Sequence, residues 1–152
     1  MVGFDIYCKT KSPVEVELFL NGLYTLIDGC LASFDVYKVE TIKDGYVVAS
    51  GVPVRNGKQH AKEVARFALL MLQNCSEGNL KSYLPIRIGI HTGSIAAGVV
   101  GSVMPRYCLF GDTMNTASRM ESHGKGQRDN QNVLASETMM MDSCYYDVIR
   151  LK

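Results

Sequence analysis

An α+β fold, with helices packed on one face of a mixed sheet, is what this sequence predicts, and three observations carry the prediction. A long run after Pro13 repeats apolar residues at helical spacing. Two β-rich runs meet at the turn Lys43-Asp44-Gly45, and strand-like and helix-like patterns then alternate to the end of the chain. With 152 residues, 47% hydrophobic and 20% charged, the chain has the length and apolar content of one domain with a single core.

The order begins with a strand fragment. Ser12 as N-cap and Pro13 at the first helical position then open a helix in which Val14, Val16, Leu18, Leu20, Leu23, Leu26, Ile27 and Leu31 recur. Residues 36–42 (VYKVETI) and 46–50 (YVVAS) are the arms of a hairpin with Asp44 at its tip. Residues 60–72 are rich in Ala, Val and Leu at helical spacing, and the polar stretch 73–82 reads as a loop. Residues 85–91 (PIRIGIH) alternate as a strand and run into a segment punctuated by Gly93, Gly98 and Gly101, where backbones are expected to approach closely. Asp112 caps a helix over 113–121, the polar run 124–132 is a loop, and residues 145–151 form a last strand.

Sixteen basic against fifteen acidic residues leave a formal charge of +1, which supplies no sequence-wide reason to bind nucleic acid or an anionic membrane. Any anion must be held by a local site. The five cysteines (Cys8, Cys30, Cys75, Cys108, Cys144) are odd in number and widely spaced, with neither a zinc pair nor a disulfide framework, and fit a reducing, cytosolic setting. The longest apolar clusters, such as 67–72, fall far short of the roughly 20 residues of a membrane span, and no signal-peptide pattern follows Met1, so the chain as it stands is expected to be soluble. Neither a P-loop nor a dinucleotide-binding glycine fingerprint is present, which argues against an unrelated phosphate-binding domain.

Three stretches carry a specific resemblance: residues 36–53 (VYKVETIKDGYVVASGVP), 87–101 (RIGIHTGSIAAGVVG) and 104–122 (MPRYCLFGDTMNTASRMES). They resemble the class III nucleotide cyclases, and specifically the catalytic domains of receptor-type guanylate cyclases. The resemblance implies a ferredoxin-like core with additions, working as a head-to-tail dimer whose active sites lie at the subunit interface. It also implies that residues 1–152 are one such catalytic domain, lacking the start of the first strand and the closing hairpin.

The implied reaction is attack by the ribose 3′-hydroxyl of GTP on its own α-phosphorus, giving 3′,5′-cyclic GMP and pyrophosphate. Family members hold two divalent ions, Mg²⁺ or Mn²⁺, on two aspartates. Asp44 matches the second, and the first is expected immediately before Met1. Asp44 by itself is also an ordinary turn former beside Gly45. Val2-Gly3-Phe4 matches the start of the phosphate loop, with Gly3 and Phe4 as substrate-binding residues. Asp5 stands where the family usually has threonine, and as a solvated loop acid would repel phosphates. Lys43 replaces a customary glycine, so a left-handed turn there costs energy unless Gly45 carries the bend.

Guanine presents N1–H and N2–H₂ donors beside its O6 acceptor, so its pocket needs a carboxylate and a donor. Glu40 and Cys108 match the family positions with those parts, where adenine-specific relatives carry lysine and aspartate. Apart from the resemblance they read as an exposed strand residue and a small buried hydrophobe. Asn115 and Arg119, four residues apart on one helix face, match the family's ribose-orienting asparagine and α-phosphate arginine; otherwise they are a solvated helix surface. Arg106 stays open between a structural and a phosphate-proximal role, and His91 reads as a hydrogen-bonded core histidine rather than a general base.

The function implied is a guanylate cyclase with GTP as substrate, acting as a homodimer or a heterodimer with a related cyclase domain. Each site would take Asp44 and the Gly3-Phe4 loop from one subunit and Glu40, Cys108, Asn115 and Arg119 from the other. The parent would lie in the plasma membrane with this domain facing the cytoplasm, and this segment would touch neither membrane nor nucleic acid. The alternative is a catalytically dead dimerisation or regulatory module of the same fold.

Overall fold

The computed structural model describes residues 3–76, 86–123, 132–135 and 146–151. Where the sequence predicts a strand fragment, residues Phe4–Thr10 form a helix, α1. Gly3, at φ 79°, turns the chain into it, and Phe4 is buried in the core while the Tyr7 ring meets Phe19 at 4.6 Å. Seven residues are too few for a self-supporting helix, so this packing holds it. α2 (Pro13–Leu31) starts as predicted. Ser12 N–H donates to the Glu15 carboxylate at 2.9 Å and the Ser12 hydroxyl accepts from Glu15 N–H, a reciprocal cap. The Ser12 backbone and hydroxyl bonds, with Lys11 nearby, lower the Glu15 carboxyl to about 2.

β1 (Tyr37–Ile42) and β2 (Gly45–Ser50) form the predicted hairpin. Ile42 pairs with Gly45, so the turn is Lys43-Asp44 and the left-handed bend falls on Lys43 at φ 54°. Gly45 already belongs to the ladder and cannot take it over. A positive φ at the first of two central residues is what the primed hairpin turns require, and for lysine a left-handed conformation costs about 1–2 kcal/mol. α3 (His60–Ser76) runs four residues past the predicted end at Leu72. Cys75 packs on the core and the Asn74 amide reaches Cys30 Sγ at 3.7 Å, so tertiary contacts extend it through residues that read as polar loop.

β3 (Arg87–Gly93) follows, and the glycine-punctuated segment proves to be a strand, β4 (Ala96–Val100), paired with the unpredicted β5 (Arg106–Phe110). α4 (Asp112–His123) covers the predicted helix over 113–121, with Asp112 in its first turn and not as its cap, and runs two residues further. β6 (Asn132–Ala135), an unpredicted strand that starts at the last residue of the expected loop, and β7 (Tyr146–Leu151), the predicted last strand, complete the order. Pro85, Tyr145, residues 77–82 of the predicted loop after α3, and residues 124–131 of the later one lie outside the described residues.

The main sheet runs β1-β2-β7-β3-β6, antiparallel except for the parallel β3–β6 pair, and β4–β5 forms a separate two-stranded sheet. β2 is buried along its whole length, and its alternation divides the core. Tyr46 and Val48 face Leu23 and Ile27 of α2 and Val64, Phe67 and Met71 of α3; Val47 and Ala49 face Ala117 of α4. Helices therefore cover both faces of the sheet, not the one expected. Gly89 is what admits α4 on the second face, since a Cβ there would stand 2.3 Å from the Ala117 carbonyl oxygen and 2.4 Å from the Glu121 nitrogen. Arg87 Nε donates to Glu121, 2% exposed, at 2.8 Å and ties the end of α4 to β3. Replacing Arg87 with alanine leaves that carboxylate buried without its cation, and urea unfolding is expected to register a loss of about 3 kcal/mol.

Candidate active site

The hairpin tip is held from α2. The Tyr24 hydroxyl donates to the Lys43 carbonyl oxygen, 19 residues along the chain, and Asp44, the next residue, is 7% exposed. Below the tip, Asp28 accepts from Lys38 Nζ at 2.8 and 2.9 Å and from the Tyr46 hydroxyl, and the Tyr46 ring lies 5.6 Å from that of Tyr24. Burial would raise the Asp28 carboxyl, but the bonds from Lys38 and Tyr46 overcome it and hold it below its usual range. Burial, and then the Asp44 carboxylate, push Tyr24 up to about 12; burial and the Asp28 bond push Tyr46 up further.

Both tyrosines favour the protonated form in the fold, so their contribution to stability is complete below the ordinary tyrosine value of about 10 and is lost as pH rises through the raised values. Thermal unfolding followed by circular dichroism is expected to show a midpoint that falls steadily above about pH 10. Tyr46→Phe should flatten that fall.

Glu40 is aimed by a bulge. Lys38 pairs with Val48 but Glu40 pairs with Val47, leaving Val39 as the extra residue. Val48 faces α2 and Val47 faces α4, so the bulge turns Glu40 away from the Lys38 side, onto the face shared with α4 and the β4–β5 hairpin. Cys108, half-buried, sits in the middle of β5 opposite Gly98. The rings of Tyr37 and Tyr107 meet edge-on at 5.4 Å and bring β5 beside β1, so the strands carrying Glu40 and Cys108 are neighbours.

In α4 the buried stripe is Thr113, Ala117 and Glu121, pinned by Thr113 Oγ1 donating to the Ser94 carbonyl at 2.7 Å. Asn115 and Arg119 are exposed on α4, next to a side, marked by Met114, that packs on the same buried cluster as Val39 and Leu109. At the other end of the chain, Gly3 is exposed and no side chain caps α1. The Phe4 side chain is core, so what this residue can offer a phosphate is its backbone N–H in the first helical turn. Asp5 is exposed in that turn, on helix and not loop; Arg106 is exposed at the start of β5; His91 is half-buried on β3.

The predicted residues thus fall into two groups. Gly3, Phe4 and Asp44 lie on the side of α1 and α2; Glu40, Cys108, Asn115 and Arg119 lie on the side of β5 and α4. Among the described residues no three His, Cys, Asp or Glu gather into a metal site. A nearly buried carboxylate on a tethered turn nevertheless suits one protein ligand of a hard divalent cation, which takes its other oxygens from phosphates and water. Sequence reasoning missed Tyr24, Asp28, Lys38 and Tyr46 as supports of the tip, and Tyr37 and Tyr107 as the bridge to Cys108. Tyr24 lies inside the predicted helix but outside its apolar repeat, and nothing local reports its partner 19 residues away.

The family described as the adenylate and guanylate cyclase catalytic domain matches residues 1–144. The chain is 54% identical over 129 residues to human (Homo sapiens) atrial natriuretic peptide receptor 2, covering 82% of this chain and 12% of that protein. It therefore spans about 12% of the length of such receptors. Among solved structures it is similar to the non-canonical dimeric guanylyl cyclase domain of the RhoGC fusion protein from Blastocladiella emersonii, with a TM-score of 0.70 and 36% identity over 82% of this chain and 70% of that one. The guanylate cyclase domain of RhGC from Catenaria anguillulae in complex with GTP gives a TM-score of 0.78 and 28% identity, over 99% and 91% of the two chains. Among the described residues no helix is long and apolar enough to cross a membrane. The motifs, the fold and these likenesses agree, and the chain belongs to the adenylate and guanylate cyclase catalytic-domain family.

Proposed function

We propose that this chain converts GTP to 3′,5′-cyclic GMP and pyrophosphate in a site completed by a second subunit. The observation that carries the reading is the division of the candidate residues between two sides of one sheet, which supports two half-sites per chain and two whole sites per head-to-tail dimer. Exposed apolar side chains add to it: Ile6, Val14 and Leu18 on α1 and α2, and Val99, Val103, Met104 and Phe110 on and around β4–β5. The partner is a second copy or a related cyclase domain.

In that site Glu40 accepts from guanine N1–H and N2–H₂ and the Cys108 thiol donates weakly to O6. Asn115 orients the ribose so that its 3′-oxygen lies in line with the α-phosphorus. As the new P–O bond forms and the bond to pyrophosphate breaks, Arg119 accompanies the charge building on the α-phosphate with a planar, permanently cationic fork. The backbone N–H groups of Gly3 and Phe4 face the outer phosphates. Asp44 would hold the divalent ions, two of them Mg²⁺ or Mn²⁺ with a further carboxylate. Bound metal supplies charge stabilisation and a more acidic 3′-hydroxyl. The receptor likeness supports a parent in the plasma membrane with this domain on its cytoplasmic side.

The test is to incubate the purified chain with GTP and Mn²⁺ or Mg²⁺ and assay cyclic GMP, beside a version extended upstream to place an aspartate before Met1. Turnover by either supports the reading. Because Asp44 is the lone candidate metal carboxylate among the described residues, turnover by neither would instead favour a catalytically inert dimerisation module of the same fold.

A further inference from the structure

We propose that Tyr24 is a positioning residue for Asp44, its hydroxyl locking the peptide unit that presents the carboxylate. The inference rests on the reading of Asp44 as a metal ligand. The Tyr24 hydroxyl donates to the Lys43 carbonyl oxygen, and that oxygen belongs to the planar peptide unit whose nitrogen is that of Asp44. Fixing the carbonyl therefore fixes the plane from which Asp44 departs. The tether acts where the turn is weakest: Lys43 is the one residue other than glycine with positive φ among the described residues, so the turn does not adopt this shape through its own preference.

Tyr24 is itself held. Its ring lies 5.6 Å from that of Tyr46, the residue two beyond Asp44, and the Lys38 ammonium stands 6.0 Å from its centroid. Lys38 and the Tyr46 hydroxyl both end on Asp28, one helical turn after Tyr24 on the same face of α2. One turn of α2 thus grips β1, the tip and β2 at three points. Tyr24 touches neither substrate nor metal in this reading; it acts through Asp44.

The experiment is a Mn²⁺ titration of the full chain, followed by paramagnetic broadening of the Asp44 and Gly45 amide signals, which reads binding without turnover. Tyr24→Phe keeps the ring and removes the donor, and is expected to weaken Mn²⁺ about tenfold, as loss of a support behind a metal ligand does. Lys43→Gly, which lets the turn take its shape unaided, is expected to restore most of that affinity in the Tyr24→Phe background. If Tyr24→Phe does not fold, the Lys43→Gly, Tyr24→Phe chain is compared with Lys43→Gly alone, and near-equal affinity is the supporting result. Wild-type affinity in Tyr24→Phe, or no recovery on adding Lys43→Gly, overturns the positioning role. Asp44→Asn is the control: if it binds Mn²⁺ like the wild type, the ligand reading itself falls and the proposal with it, whereas loss of binding in Asp44→Asn beside unchanged Tyr24→Phe sinks the positioning role alone.

Discussion

Replacing Asp44 with asparagine is expected to lower cyclic GMP formation by on the order of a thousandfold, in whichever form of the protein turns over GTP. Charge stabilisation by bound metal is worth several kcal/mol at a reacting phosphate, and each 1.36 kcal/mol is tenfold in rate. Asparagine keeps the size of the side chain and a carbonyl oxygen but loses the charge that, in the proposed site, would hold a divalent cation. The hairpin should survive, because the turn depends on the Tyr24 bond to the Lys43 carbonyl and on the ladder from Ile42–Gly45 back to Tyr37–Ala49, neither of which uses the Asp44 charge. An unchanged unfolding midpoint beside lost turnover is therefore the expected pair of results. Turnover within a few fold of the wild type would remove Asp44 from the machinery.

The second large effect concerns the base. Glu40→Lys with Cys108→Asp reverses the donor and acceptor pattern offered to the purine edge, and the ratio of GTP to ATP turnover is expected to fall by on the order of a hundredfold or more. The cost comes from leaving a polar group of base or pocket without a partner, so both changes are needed together. The measurement is kcat/KM for each nucleotide, with cyclic GMP and cyclic AMP separated as products. Undiminished GTP preference would mean that the base is read elsewhere. The β1 bulge gives this prediction its structural basis: were Val39 paired in regular register with Val47, Glu40 would fall opposite Tyr46, share the face of Lys38 and look into α2 instead of towards β5.

Much was legible because it is local. Ser12 and Pro13 announce the start of α2, and Lys43-Asp44-Gly45 between two β-rich runs announces the hairpin. Asn115 and Arg119 share a helix face through spacing alone. The motif resemblance then assigned roles that spacing could not, and the family match agrees with the identity it implied. Other features depend on partners remote in sequence. α1 is a helix because Phe4 and Tyr7 find the core and Phe19; α3 outruns its apolar pattern because Asn74 and Cys75 find α2 and the core. β5 escaped notice because RYCLF has little alternation, and it is a strand by virtue of pairing with β4 and bringing Tyr107 to Tyr37.

By itself, then, the sequence determined the chemistry available to this protein: which side chains are present, in what order, and on which faces of their own helices and strands. Tertiary structure alone decided how they are distributed. A bulge at Val39 in β1 put Glu40 on the α4 side, a glycine at position 89 admitted α4 onto the second face of the sheet, and a tyrosine 19 residues upstream took hold of the turn before Asp44. The reason is that periodicity reports the nearest few neighbours along the chain. Register, face and tether are set by close packing between segments, where one residue or one Cβ reverses the outcome.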